Sequence, residues 1–206
     1  MQNFYELVCG KSIAIVGNAI TTKGSGLGKI IDSKDVIIRI NNYAYPVLSA
    51  EAQDIGTKTD IMFFDRQQYQ TYPVNGKYQG MPAFTINLDL QFEIARQYCG
   101  LSGTWGNFAP ASGVSATFMC CMCSAKQIFL TGFDFFKTRG RYNGNYFPGR
   151  ISGPCEKTAP HDFEKYKAWP AYCDYDLDEK IIRELQKHYP IEFDKALEKI
   201  IFNQEA

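Results

Sequence analysis

The chain has 206 residues, 45% of them apolar and 21% charged, as expected of one soluble globular domain with a full hydrophobic core. Its 22 Lys and Arg offset 22 Asp and Glu, which excludes the basic bulk field of a nucleic-acid binder and leaves any anion to local groups. No apolar run is long enough to span a bilayer, and "MQNFYELVCGK" has no basic region ahead of an apolar stretch, so neither a transmembrane segment nor a signal peptide is expected.

In chain order, Ser12 to Val16 reads as a short apolar strand of the kind covered on both faces. It leaves through Gly17-Asn18 into "AITTKGSGLGK", with Gly24, Gly26 and Gly28 in five residues, before a second strand at Val36 to Ile40. Ile61 to Phe64 and Ala83 to Asn87 look like further strands, and Leu90 to Cys99 has helical spacing. After "GTWGNFAPASG" a helix is expected over Val114 to Lys126, apolar or small almost all round and therefore central. It runs into a strand, Gln127 to Thr131, that ends at Gly132.

Residues 137 to 176 are rich in Gly, Pro, Tyr, Asn and charge and lack periodicity. So long an irregular stretch in a compact domain is more often a lid or binding loop than filler. Asp178 to His188 is an amphipathic helix with acids first, bases last and Pro190 behind it, and a last helix covers Lys195 to Phe202. Strands alternating with helices argue an α/β fold with a mostly parallel sheet and helices on both faces. Ligands of such sheets gather at the carboxyl ends of the strands, where the loops after Val16, Ile40 and Thr131 leave.

A glycine-rich loop after a first strand suggests phosphate, yet two phosphate motifs fail. Lys23 stands where a Walker loop needs its first Gly, and Ile30 where it needs a hydroxyl. Gly24, Gly26 and Gly28 have the wrong spacing for a dinucleotide fingerprint and come seven residues after Gly17 at the strand end. The seven cysteines, three of them in the apolar run Cys120 to Cys123, read as buried reduced thiols. With two histidines in the chain, a zinc site is not expected.

Three segments carry a resemblance. "IAIVGNAITTKGSGLGKIIDSKDVIIRINNY", continued by "DIGTKTDIMFF", resembles the long sialyl motif of animal-type sialyltransferases. "PASGVSATFMCCMCSAKQIFLTGFDFF" resembles the short motif, and "EKTAPHDFE" the very short motif. The similarity runs in order over about residues 12 to 164. It implies a Rossmann-like, GT-A-like variant comprising a single glycosyltransferase domain over 1–206, with 137–176 as a lid on the acceptor side. It further implies an inverting, metal-independent transfer of sialic acid from CMP-sialic acid to a glycan hydroxyl, with no cofactor besides that donor.

Residue by residue, the resemblance makes His161 the general base, and an imidazole with pKa near 6.5 suits that task. Asn18 and Asn41 match nucleotide contacts, and an amide both donates and accepts. Ser112 and Gly113 open the central helix, where a hydroxyl and free N–H groups suit a phosphate or carboxylate; Ser112 also reads as an N-cap. Gly132 closes the short motif, and Tyr146 in "RYNGNYFPG" is the candidate tyrosine for the donor phosphate, with Tyr142 second. Gly17, Gly24, Gly26 and Glu164 are supporting positions, the glycines allowing a tight turn beside the donor.

Departures temper the match. His161 and Glu164 have two residues between them where the family has four. The family's secretory-pathway disulfide would fall at Ser12 and at Ser124 or Ala125, so it is absent, which fits a reducing compartment. Ala111 stands where a serine is common. The expectation is a compact bacterial or viral form, cytoplasmic, or peripheral to a membrane if its acceptor is lipid-linked. Its partners are then a nucleotide-sugar donor and a glycan acceptor, with no nucleic acid. Competing readings are a transferase of another CMP-activated acidic sugar, a non-catalytic CMP or nucleotide binder, a structural α/β domain whose glycine loop merely turns, and a metal-dependent transferase using Asp174-Tyr-Asp176 or Asp176-Leu-Asp178. The last pairs sit beside a helix start, where acids serve more simply as caps.

Overall fold

The computed structural model describes residues 3–40, 49–64, 81–85, 110–135 and 175–202. Within them, six strands form one parallel sheet: β1 (Ser12–Val16), β2 (Val36–Ile40), β3 (Ile61–Phe63), β4 (Ala83–Phe84), β5 (Gln127–Thr131) and β6 (Ile191–Phe193). Their order is β4-β3-β2-β1-β5-β6, and every neighbouring pair is parallel. At the centre, Ile13 lies beside Val36 and Ile128, and Val16 beside Arg39 and Thr131.

Side chains alternate across each strand, and both faces are buried. Ile13 and Ile15 of β1, with Ile38 and Ile40 of β2 and Ile128 and Leu130 of β5, face one apolar layer. That layer is built by α1 (Phe4–Val8), α4 (Ser112–Met122), α5 (Tyr175–His188) and α6 (Lys195–Phe202). Ala14, Val16, Ile37 and Phe129 face the other, thinner layer, covered by Ile31 of α2 (Gly28–Asp32) and Ile55 of α3 (Ser49–Ile55). Helices on both faces of a parallel sheet are the architecture the alternating pattern predicts.

β1, β2 and β5 occupy the residues read from sequence, as does α6. Other elements differ. The central helix begins at Ser112 and ends at Met122, because Ser124 takes φ +57° and turns the chain toward β5, so helix cannot reach Lys126. α5 starts at Tyr175, so the irregular segment ends before 176. α1, α3 and β6 were not expected. α1 is closed by a reciprocal cap: the Asn3 side chain accepts from Tyr5 N–H at 3.2 Å, and Asn3 N–H donates to the Glu6 carboxylate at 3.4 Å. It buries Phe4 edge-on against Phe84, ring centroids 5.0 Å apart. The expected helix at Leu90 to Cys99 and the bulk of the 137–176 segment lie outside the described residues.

Candidate functional site at the carboxyl edge of the sheet

β1 and β5 are neighbours whose chains continue to opposite sides of the sheet, toward β2 and toward β6. That reversal of strand order opens the crevice where α/β sheets take ligands. Here the loops after the two strands touch. Gly17 N–H donates to Thr131 O at 2.8 Å and Ala19 N–H to Gly132 O at 2.9 Å. A Cβ on Gly17 would lie 2.3 Å from Gly132 O, and one on Gly132, whose φ is +74°, would lie 2.7 Å from Gly17 O. A Cβ on Gly113 would lie 2.1 Å from the Phe133 ring. Each glycine is therefore required by contact, and together they seat the start of α4 against the residue after Gly132.

The structure thus brings Gly17, Asn18, Ser112, Gly113 and Gly132 to one edge. The Asn18 side-chain Nδ2 donates to Ile40 O at 3.2 Å, tying the end of β1 to the end of β2. Its Oδ1 and second N–H have no partner among the described residues and are free to meet a ligand. Ser112 is not the N-cap: Ala111 holds that position without a side-chain cap, and Ser112 is the first helical residue. The first intrahelical bond is Ser115 N–H to Ala111 O. The amides of Ser112, Gly113 and Val114 precede it and are the donors an anion would meet.

Three carboxylates hold the loops of this edge; of them only Asp178 is weighed in the sequence, in the competing metal-binding reading. Asp54 of α3 accepts from Gly24 N–H at 2.7 Å and Gly26 N–H at 2.9 Å. Gly24 and Gly26 have φ of +75° and +66°, and a Cβ on either would meet nothing within 4 Å. They are glycine for conformation, and their amides serve an internal anion. Asp178 of α5 accepts from Ala111 N–H at 3.1 Å, fixing the chain as it enters α4. Asp194 accepts from Gly132 N–H at 3.1 Å and from Leu197 N–H at 2.8 Å, so one buried carboxylate caps α6 and holds the turn after β5. Hydrogen bonds to charged groups contribute about 1.5–3 kcal/mol as a class, which makes the buried Asp178 and Asp194 anchors stiff, while the exposed bonds of Asp54 are worth less. The signal for Asp194 was present in the sequence, an acid immediately before a helix.

Arg39, in the strand that closes the long motif, does not reach this edge. It is fully buried toward α3, donating through Nε to Lys58 O (3.0 Å) and Thr59 Oγ1 (2.8 Å), and through Nη2 to Ile55 O (2.8 Å). Beneath it, burial raises the Asp32 carboxyl. The N–H groups of Lys58 and Thr57, the Thr57 hydroxyl and the Arg39 charge outweigh that and hold it below its ordinary value. Thr131, at the end of β5, is fully buried, and its hydroxyl has no partner among the described residues.

Asn41, Tyr142, Tyr146, His161 and Glu164 lie outside the described residues. Asp176 and Asp178 fall within the first turn of α5, and Asp174 lies outside the described residues. Among the described residues no group of three His, Cys, Asp or Glu could hold a metal ion, and no helix is long and apolar enough to cross a membrane.

Residues 7–82 match the family model described as glycosyltransferase family 29 (sialyltransferase). Over 63 residues the chain is 40% identical to CMP-N-acetylneuraminate-beta-galactosamide-alpha-2,3-sialyltransferase 4 of Rattus norvegicus, a stretch covering 31% of this chain and 18% of that relative. Among solved structures it resembles a mammalian sialyltransferase in complex with Gal-beta-1-3GalNAc-ortho-nitrophenol. The TM-score is 0.53 at 16% identity, over 92% of this chain and 71% of that one. A second mammalian sialyltransferase structure gives a TM-score of 0.51 at 15% identity, over 90% and 68%. The matched segment spans the stretch read above as the long motif, and the shared sheet gives the fold; the chain is similar to glycosyltransferase family 29 over residues 7–82 and spans only a small part of the curated relative's length.

Proposed function

We propose that the protein is an inverting, metal-independent glycosyltransferase that moves sialic acid from CMP-sialic acid to a glycan hydroxyl. One observation carries the reading: in a chain whose opening segment matches the sialyltransferase family, Gly17-Asn18, Gly132 and the start of α4 converge at the switch point between β1 and β5. Asn18, held by Ile40 O, presents an amide edge to the nucleotide, with Asn41 following the same strand end. The free amides of α4, with Ser112, take the phosphate or the sugar carboxylate. Tyr146 touches the phosphate.

His161 removes the proton of the acceptor hydroxyl as the anomeric carbon passes through an oxocarbenium-like state. The leaving group is a phosphate monoester, which needs no acid of raised pKa. Residues 137–174 cover the acceptor side, and the chain acts as a single domain in the cytoplasm. If the donor carries a different acidic sugar, the nucleotide contacts stay the same and the sugar carboxylate keeps its place at α4.

The test is transfer from CMP-sialic acid to a glycan panel in EDTA. His161→Ala lowers kcat by about 10²- to 10⁴-fold with donor affinity little changed. Asn18→Ala instead weakens CMP binding by about tenfold or more, equivalent to ~1.4 kcal/mol. Activity lost on chelation and restored by metal would overturn the metal-free mechanism.

A further inference from the structure

The edge of the sheet opposite the candidate site carries two half-buried thiols, Cys9 and Cys123. Cys9 is the C-cap of α1 and Cys123 the C-cap of α4. After each, the chain turns through a left-handed residue, Gly10 at φ +70° and Ser124 at φ +57°. The two turns lie side by side. Gly10 N–H donates to Ser124 O at 3.0 Å, and Lys126 N–H to Lys11 O at 2.8 Å. Each cysteine therefore stands one residue before an atom of the same backbone hydrogen bond. The two sulfurs are also electrostatic neighbours: the Cys9 thiol acts on the Cys123 thiol, and both act on the Tyr5 hydroxyl.

We propose that Cys9 and Cys123 form a reversible disulfide that staples the turn after α1 to the turn after α4. The two turns are held side by side by backbone hydrogen bonds, and one cysteine leads into each, which sets the pair up for the short Cα separation a disulfide needs. Cys120 and Cys123 stand at C-x-x-C spacing, but Cys120 is fully buried in the apolar layer. Burial pushes the Cys121 thiol up to about 12 and Cys120 well above its ordinary value, and burial and Cys9 raise Cys123 as well, so the choice rests on access: Cys120 and Cys121 are buried, whereas Cys9 and Cys123 are half-buried.

With a small-molecule disulfide such as oxidised glutathione as oxidant, one protein thiolate attacks a glutathione sulfur and releases the first glutathione. The second protein thiolate then attacks the mixed disulfide and releases the other. Two protein thiols are oxidised, one glutathione disulfide is reduced to two glutathiones, and the two protons pass to them. In a reducing compartment the bond forms under oxidative load and reopens afterwards.

The test treats the folded wild-type protein with oxidised glutathione, alkylates the remaining thiols, and maps peptides without reduction. The expected result is a linkage between Cys9 and Cys123, released by dithiothreitol and absent from Cys9→Ser. Its closure of a long loop raises the thermal midpoint by about 10 °C. Cys9 still fully alkylated after oxidation, or a bond joining Cys120 to Cys123 instead, would overturn the proposal.

Discussion

Two sets of glycines flank the end of β1, and they are glycine for different reasons. Gly17, Gly113 and Gly132 sit where a Cβ would run into backbone or a ring at 2.1–2.7 Å. Gly24 and Gly26 sit in open space with φ near +70°. The first set lets two strand ends and a helix start come together. The second lets a loop curl its amides around Asp54. A glycine-rich loop after a first strand suggests a phosphate cradle, but the anion it holds is the protein's own. In the proposed function, recognition of the nucleotide then falls to Asn18 and the start of α4.

The largest expected effect follows from the crowded set. Gly132→Ala combines a left-handed residue with backbone contact at Gly17 O and costs about 3 kcal/mol, read by urea denaturation. Gly24→Ala meets no neighbour and costs about 1 kcal/mol, the conformational penalty alone. Equal losses in the two variants would erase the distinction between the sets.

A smaller effect is expected at Asp54. Removing its carboxylate in Asp54→Ala frees the Gly24 and Gly26 amides and costs about 1 kcal/mol. CMP affinity shifts by less than about threefold, against the tenfold of Asn18→Ala. A loss of CMP binding as large as that of Asn18→Ala would return the loop to the nucleotide.

The smallest effect concerns the support beneath the loop, where Asp32 binds Thr57 and Lys58 N–H at 2.9 and 3.0 Å. Its folded carboxyl is held below the ordinary value of 3.8. Its contribution to stability is therefore present above that value and is lost as pH falls through the lower folded one. The stability gap between wild type and Asp32→Asn should close in acid; a gap that widens on acidification would contradict the assignment.

The parts of the fold legible in the sequence are those written in continuous β-branched runs. "SIAIV", "VIIRI" and "QIFLT" are strands to the residue. α3, written "SAEAQDI", offers too little apolar periodicity to be read, and the three residues of β6 become a strand through pairing with β5. In the site, Gly17-Asn18 and Gly132 were visible as punctuation after strands. The anchoring of these loops by Asp54, Asp178 and Asp194 was not: Asp194 reads from sequence only as a cap for α6, and the partners Gly24, Ala111 and Gly132 lie 30, 67 and 62 residues away, so only the folded chain brings them together. The same limit explains Ser112. A hydroxyl before an apolar run reads as a cap, and the structure shifts the helix by one residue and gives the Ala111 amide to Asp178.

The account stands on a CMP site at the carboxyl edge of the sheet. The most direct test is calorimetric titration of the folded protein with CMP in EDTA, with UMP and NAD as controls. Selective binding of CMP, weakened in Asn18→Ala and kept in Asp54→Ala, is the predicted result. A folded protein that binds no CMP would contradict the account and leave the glycines of β1 and β5 as elements of packing alone.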